Sequence, residues 1–404
     1  MSTTTALRGI GREIGDAASL GRAVDELLAG AEPALLALGE PTHGIRAFPL
    51  LRNELLAHLV ERGYRSISLE IDAFAASVVD DYVTGGAGDP DEVLKTGFSH
   101  WFGHVPGNRE LVEWLREHNA GRAPQDQVRF HGFDAPTETT SAPSPRRALT
   151  AVIDYLPPAL RPASSHDLDA LLGEDDDWTN EQAMYDAAAS IGGSDRARAL
   201  RIVADDLASA LHRAAPVLQP ADPAGYRLAA AYARTAVGLL RYHAAMAFAA
   251  PDRFGTLLSL RAEMMADNLL AMVDEERHRG PSLVFAHNVH LQRVPSTMQM
   301  GPEDATWGSA GALVALTLGE RYVFVATDAN PQAEPGTLQG ELAAATTRRA
   351  FFPAPALRAA LPASTGTGEP ILPGHLPLSP AQVDGADAVI FVADTDGQRV
   401  EYWR

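Results

Sequence analysis

Glu40 and His43 are spaced so that a carboxylate can orient an imidazole, which is the minimal equipment of a general base. They lie in Gly39-Glu40-Pro41-Thr42-His43-Gly44, directly after the apolar run Ala34-Leu35-Leu36-Ala37-Leu38. A short apolar run stopped by Gly and Pro predicts a buried strand that ends in a tight loop. Gly44 to Glu61 then resumes with helical spacing, so the unit reads strand, polar loop, helix. In open α/β sheets the ligand crevice lies at the carboxyl ends of the strands, where this loop would sit.

Three further runs end in ionisable groups. Ser66-Ile67-Ser68-Leu69 leads into Glu70-Ile71-Asp72, Gln127-Val128-Arg129-Phe130 into His131-Gly132-Phe133-Asp134, and Ser282-Leu283-Val284-Phe285-Ala286 into His287-Asn288-Val289-His290. Two more runs, Tyr322 to Ala326 before Thr327-Asp328 and Ala388 to Val392, complete the strand candidates. Strands alternating with helical segments predict an α/β fold with a largely parallel sheet core flanked by helices. Parallel strands align their carboxyl ends, so these loops are expected to converge on one crevice holding His, Glu and Asp side chains. Such a set serves acid–base hydrolysis: a base near neutral pKa, a carboxylate to orient it, and donors for a developing oxyanion. Taken singly, each residue also has an ordinary role. Glu70 or Asp134 could cap a helix, Arg52 could pair with a surface acid, and His100 and His104, flanking Trp101-Phe102-Gly103, read as loop residues.

From about Ser144 to Arg279 the character changes to Ala-rich segments with apolar residues three and four apart, broken at Pro220-Ala221-Asp222-Pro223 and near Pro251. This predicts a large all-helical insertion, 144–279, forming one wall of the cleft, within an α/β core made of 1–143 and 280–404. The stretch from Pro353 to Pro380, rich in Pro, Gly, Ala and Leu, reads as a surface loop or lid.

Composition narrows the function classes. The chain has 404 residues, 46% hydrophobic and 21% charged, as a globular protein does. Its formal net charge of −19 argues against nucleic acid or an anionic membrane as partner. There is no cysteine, which removes disulfides, thiolate metal sites and a Cys nucleophile, and Lys95 is the only lysine. No window approaches a membrane span, and Met1 to Ala6 carries no signal-peptide pattern, so the expected location is cytoplasmic. No G-x-S-x-G elbow is found, which favours direct activation of water over an acyl-enzyme.

At this point the residues resemble the erythromycin esterase family. The resemblance rests on Gly39-Glu40-Pro41-Thr42-His43-Gly44 with Arg52-Asn53-Glu54, on Leu69-Glu70-Ile71-Asp72, and on Ala286-His287-Asn288-Val289-His290. Weaker matches are Trp114-Leu115-Arg116 with Asn119, Gly132-Phe133-Asp134, and Arg261 with Met265 and Asn268. The resemblance implies His43 as general base for water attack on a macrolactone or other bulky natural-product ester. It implies Glu40 and Glu70 as groups that orient and polarise the base, and Arg52 and His287 as stabilisers of the oxyanion. His290, Asp72, Asp134, Arg261 and His104 are the expected substrate-binding residues, and no cofactor is expected.

Three alternatives stay open on the residues alone. His43, His287 and Glu70 could ligate a divalent metal, although His287 and His290 lack the helical H-E-x-x-H spacing. The same base could deprotonate a substrate hydroxyl or amine and drive cyclisation, transacylation or elimination in secondary metabolism. The fold could also serve only to bind and sequester a small-molecule natural product. The sequence leaves the oligomeric state open.

Overall fold

The computed structural model describes residues 3–137, 141–300, 303–330, 332–397 and 399–400. Ten strands are present among them: β1 (Arg12–Glu13), β2 (Leu35–Glu40), β3 (Ser66–Asp72), β4 (Arg129–Asp134), β5 (Ser282–His287), β6 (Ser296–Met300), β7 (Glu303–Trp307), β8 (Tyr322–Asp328), β9 (Arg349–Pro353) and β10 (Ala388–Val392). Eight of them form one sheet in the order β1-β9-β10-β8-β2-β5-β3-β4, and β6 and β7 form a separate ribbon. The pairs β10–β8, β8–β2, β2–β5 and β5–β3 are parallel, whereas β9 runs antiparallel to both β10 and β1. The fold is thus α/β with a largely parallel sheet.

The central strands β2, β5 and β8 are buried along their whole length. That is why they read as continuous apolar runs and not as alternating ones: helices cover both faces of a parallel sheet. The two edge pairings made by β1 and β9 escaped the sequence reading, because Arg12-Glu13 is too short to show a period and Arg349–Pro353 ends in proline.

The helix Ala47–Val60 shows how the sheet positions a functional group. Its buried residues Phe48, Leu51, Arg52, Leu55, Leu56 and Leu59 recur at three and four, the spacing of one helix face. Arg52 occupies a core-facing place in that stripe and is 1% exposed. The surface pairing that Arg52 could have made is therefore not its role.

The chain divides into two compact units, residues 1–133, 269–298 and 308–404 in the first, and 134–268 with 299–307 in the second. The first contains the sheet, with a core in which Leu36, Leu38, Phe48, Leu55, Phe285 and Val325 are buried together. The second is dominated by the long helices Asp195–Ala221, Pro223–Met246 and Arg253–Glu276, the last of which passes into the first unit. One of its cores joins the first two of these to the helix Arg146–Tyr155 around Trp178, whose indole N–H donates to Leu172 O at 2.9 Å. Among the described residues no helix is long and apolar enough to cross a membrane.

Part of the stretch expected as a surface loop departs from that reading. Ala354–Ala360 is a helix, and Leu361, His375 and Leu378 further along are buried. Proline and glycine hid this because they suppress the period that marks packed elements.

Candidate active site

The register of the sheet brings the candidate residues together. Glu40 is the last residue of β2 and pairs with His287, the last of β5. Glu70 lies inside β3, next to β5. These three are therefore strand residues and not loop residues, so the sheet itself fixes their spacing. His43 follows in the loop, and its Nδ1 lies 2.7 Å from Glu40 Oε1. The carboxylate can only accept there, which places the proton on Nδ1 and leaves Nε2 with its lone pair. Nε2 stands 3.9 Å from Glu70 Oε2.

Glu70 is held by two other groups. Its Oε2 accepts the His287 backbone N–H at 2.8 Å, and its Oε1 lies 3.1 Å from His290 Nε2. The His287 ring accepts from the Val289 N–H through Nδ1 at 3.3 Å, so its proton is on Nε2. The His43 and His287 rings meet edge to face at 5.6 Å. Glu40 Oε2, His287 Nε2 and His290 Nδ1 are buried and make no hydrogen bond among the described residues. Buried polar atoms left unsatisfied in this way are rare, and each calls for an explanation.

Arg52 supplies the cation. Its Nη1 donates to Asn108 Oδ1 at 2.8 Å, its Nη2 to Asn53 Oδ1 at 2.8 Å and Gly107 O at 3.0 Å, and its Nε to Asn53 Oδ1 at 3.0 Å. The guanidinium lies over the Phe285 ring at 5.0 Å. All its hydrogen-bond acceptors are neutral, so the charge is held in place without an acid in contact to cancel it. Arg52 lines one cavity with Glu40, His43, Glu70, Phe102 and Asn108. The volume is about 20 Å³, room for one water molecule on the order of the minimum such a cavity needs.

Electrostatics separate the histidines. Burial opposes charging of His43, but the Glu70 charge and the Glu40 hydrogen bond outweigh it and lift its pKa above the ordinary 6.5. Burial drives His287 the other way, to about 3, with the neighbouring positive charge on His43 adding to the effect. His287 is thus a neutral N–H donor, whereas the pKa of His43 is shifted upward. Burial also raises Glu40 and lowers Arg52 to about 10, which leaves the arginine charged at neutral pH.

The other sequence candidates are placed as follows. Asp72 Oδ1 accepts the backbone N–H groups of Phe74 and Ala75 at 2.6 and 3.0 Å, and so organises the turn after β3. Asp134 is fully buried and makes a two-point pair with Arg261, Nη2 to Oδ2 at 2.5 Å and Nε to Oδ1 at 3.0 Å, both in the second unit. His104 is exposed and stacks on Trp101 at 6.5 Å. Among the described residues no group of three or more His, Asp or Glu side chains is spaced to hold a metal ion.

Three features were missed at the sequence level. Phe102 packs on His43 with ring centroids 4.6 Å apart. Asn288 clamps the ends of two strands: its Nδ2 donates to Thr327 O at 2.8 Å while Thr327 Oγ1 donates to Gly39 O at 2.8 Å. A Cβ at Gly39 would overlap the Asn288 amide oxygen, so only glycine allows this approach. The third feature is a buried hub at the end of β8. Asp328 Oδ1 accepts from Ala329 N at 2.7 Å and His375 Nε2 at 3.0 Å, and Oδ2 from Gln339 Nε2 at 2.7 Å and Leu378 N at 2.9 Å. The next residue after His375 returns to the site, because Leu376 N donates to Pro41 O at 2.9 Å. Asp328 carried a signal, an acid after an apolar run, but His375 sits in a stretch with no periodicity at all.

Comparison with known proteins joins this geometry to a family. The model of the erythromycin esterase family matches residues 59–365. A stretch of 103 residues is 30% identical to erythromycin esterase type II of Escherichia coli, covering 25% of this chain and 23% of that protein. The chain therefore matches less than a quarter of that relative's length. Three solved structures share the fold. A Bacillus cereus protein has a TM-score of 0.71 at 17% identity over 96% of both chains. A succinoglycan biosynthesis protein has 0.65 at 16% over 96% of both. A mutant of the erythromycin esterase EreC in its open conformation has 0.66 at 20% over 94% of both. The strand-end set around His43 and a family match spanning more than half of the sequence lead to one conclusion: the chain belongs to the erythromycin esterase family.

Proposed function

We propose that this protein hydrolyses an ester of a macrolactone or another bulky natural product, with His43 as general base on water. The observation that carries the reading is the hydrogen bond between His43 Nδ1 and Glu40 Oε1, which leaves Nε2 free of a proton on a cavity sized for water. In this mechanism Nε2 takes a proton from water as its oxygen attacks the ester carbonyl. The negative charge that develops on the carbonyl oxygen is met by the Arg52 guanidinium and the His287 Nε2–H, both preset donors. The His43 imidazolium is stabilised by Glu40 and Glu70, and it returns its proton to the leaving alkoxide.

The test is hydrolysis in H2¹⁸O with and without a chelator. One labelled oxygen in the carboxylate product, at a rate unchanged by the chelator, is the expected result. Product without label would point to cyclisation or transacylation by the same base. Activity lost with a stoichiometric metal would transfer the chemistry to a metal at His43, His287 and Glu70.

The pH profile gives a second check. The base works in its neutral form, and its pKa is raised, so kcat/KM should rise with pH through a midpoint above 6.5. Glu40→Gln removes a hydrogen-bonded charge that raises this pKa. The acid limb should then move to lower pH, and the plateau should fall because the base is weaker and less well oriented. A limb that stays in place would show that another group sets it.

A further inference from the structure

The segment from Ser99 to Asn108 is built at a cost that its fold does not explain. His100 and Trp101 have φ of 55° and 61°, the left-handed region, and apart from Asp396 they are the only non-glycine residues there among those described. Two successive bulky residues in this region cost on the order of 1–3 kcal/mol each, and such strain gathers at functional sites. The result of the strain is a large aromatic held outward. Trp101 is 65% exposed and lies nearly parallel to the His104 ring, at 20°. Tyr185 and Phe248 are as exposed, but neither has a positive φ.

The same turn that lifts Trp101 outward drives its neighbour inward. Phe102 lines the cavity and packs on His43. Asn108 Nδ2 donates to Phe102 O at 2.7 Å, while Asn108 Oδ1 accepts from Arg52. At the other end Asp72 N donates to Ser99 Oγ at 2.8 Å. Gly103 seats the turn on the preceding helix, where a Cβ would collide with the Leu94 carbonyl. The segment is therefore pinned at both ends to β3 and to Arg52, and the pinning holds the strained pair in place.

We infer that Trp101, with His104 stacked against it and adjoining Phe102 of the His43 cavity wall, is the docking platform for the ring face of a bulky substrate. This rests on the ester-hydrolase reading and names the substrate feature that selects for it: a broad, weakly polar face, such as a macrocycle or sugar ring, that can lie on an indole. A cavity with room for about one water cannot itself recognise such a molecule, so recognition falls to its rim. Trp101 acts by binding and takes no part in proton transfer.

The test is calorimetric binding of erythromycin A to the His43→Ala protein, in which turnover is removed. Adding Trp101→Ala should weaken binding by at least about tenfold, as expected of an aromatic anchor, and Trp101→Phe should restore most of it. Trp101→Gly should weaken binding equally without lowering Tm, because glycine adopts the left-handed region freely. Unchanged affinity in Trp101→Ala overturns the proposal. So does a fall of several degrees in Tm for Trp101→Gly with no rescue of binding by Phe, which would mark a structural residue. Absence of any erythromycin binding to the parent protein also overturns it. Hydrolysis of p-nitrophenyl acetate, which has no broad ring face beyond its leaving group, reports separately on the ester-hydrolase reading. Its loss in His43→Ala upholds that reading whatever the platform does.

Discussion

His43→Ala should lower kcat/KM for ester hydrolysis by about 10²–10⁴-fold, the range supplied by a positioned general base. Neither neighbouring histidine can take over. His287 is held neutral with its proton on Nε2, so it can donate but not accept there. His290 turns Nε2 to Glu70, and the lone pair on its Nδ1 is buried. The fold should survive, because His43 lies in a loop and its 2.7 Å hydrogen bond joins it to Glu40 within the site. Burial already raises the pKa of that carboxyl, so it can take up a proton once the imidazole is gone. The check is steady-state kinetics beside circular dichroism on the same sample. Turnover near that of the parent protein would remove His43 from the mechanism, and the acid limb of the pH profile should disappear with it.

Asp328→Ala should cost about 3–5 kcal/mol of stability, the range for removing one partner of a buried charged network. The carboxylate is fully buried and receives four N–H groups, two from backbone and two from His375 and Gln339. Alanine would leave those donors without an acceptor and without water, and each unsatisfied donor carries a desolvation penalty. The effect should reach beyond the hub. Leu376 donates to Pro41 O beside the His43 loop, so loosening the stretch around His375 also loosens that loop. Chemical denaturation measures the loss directly, and a change below about 1 kcal/mol, typical of ordinary positions, would show that the hub is not a keystone. His375→Gln should cost less, because an amide can still donate to Asp328.

The two networks differ in a way that explains their roles. Around Asp328 both carboxylate oxygens are satisfied, and the His375 ring is bonded at both nitrogens, with Ile371 N donating to Nδ1 at 3.0 Å. Around His43 three buried polar atoms lack partners. A satisfied network fixes a fold, whereas one with unmet valences is poised to meet a substrate or a transition state.

Much of this was legible along the chain. Leu35–Glu40, Ser66–Asp72 and Ser282–His287 announced themselves because strands buried on both faces need uninterrupted apolar residues, and the ionisable groups at their ends could be counted from the text. The motifs around Glu40, His43, Glu70 and His287 carried the resemblance to the family. The boundary between the units was less legible. It falls at Asp134 and Asn268, with 299–307 joining the second unit, whereas composition changes near 144 and 279.

What the sequence by itself determined is the set of elements and the chemical types at their ends, since burial periodicity and turn chemistry act over a few residues. Tertiary structure alone decided which groups meet. Glu70 serves the His287 backbone 217 residues away, Asp134 finds Arg261 at a separation of 127, and Arg52 turns to the core. Those pairings follow from strand order and register, which depend on the whole sheet closing at once. The proton positions on His43, His287 and His290 follow in turn from the partners that closure supplies.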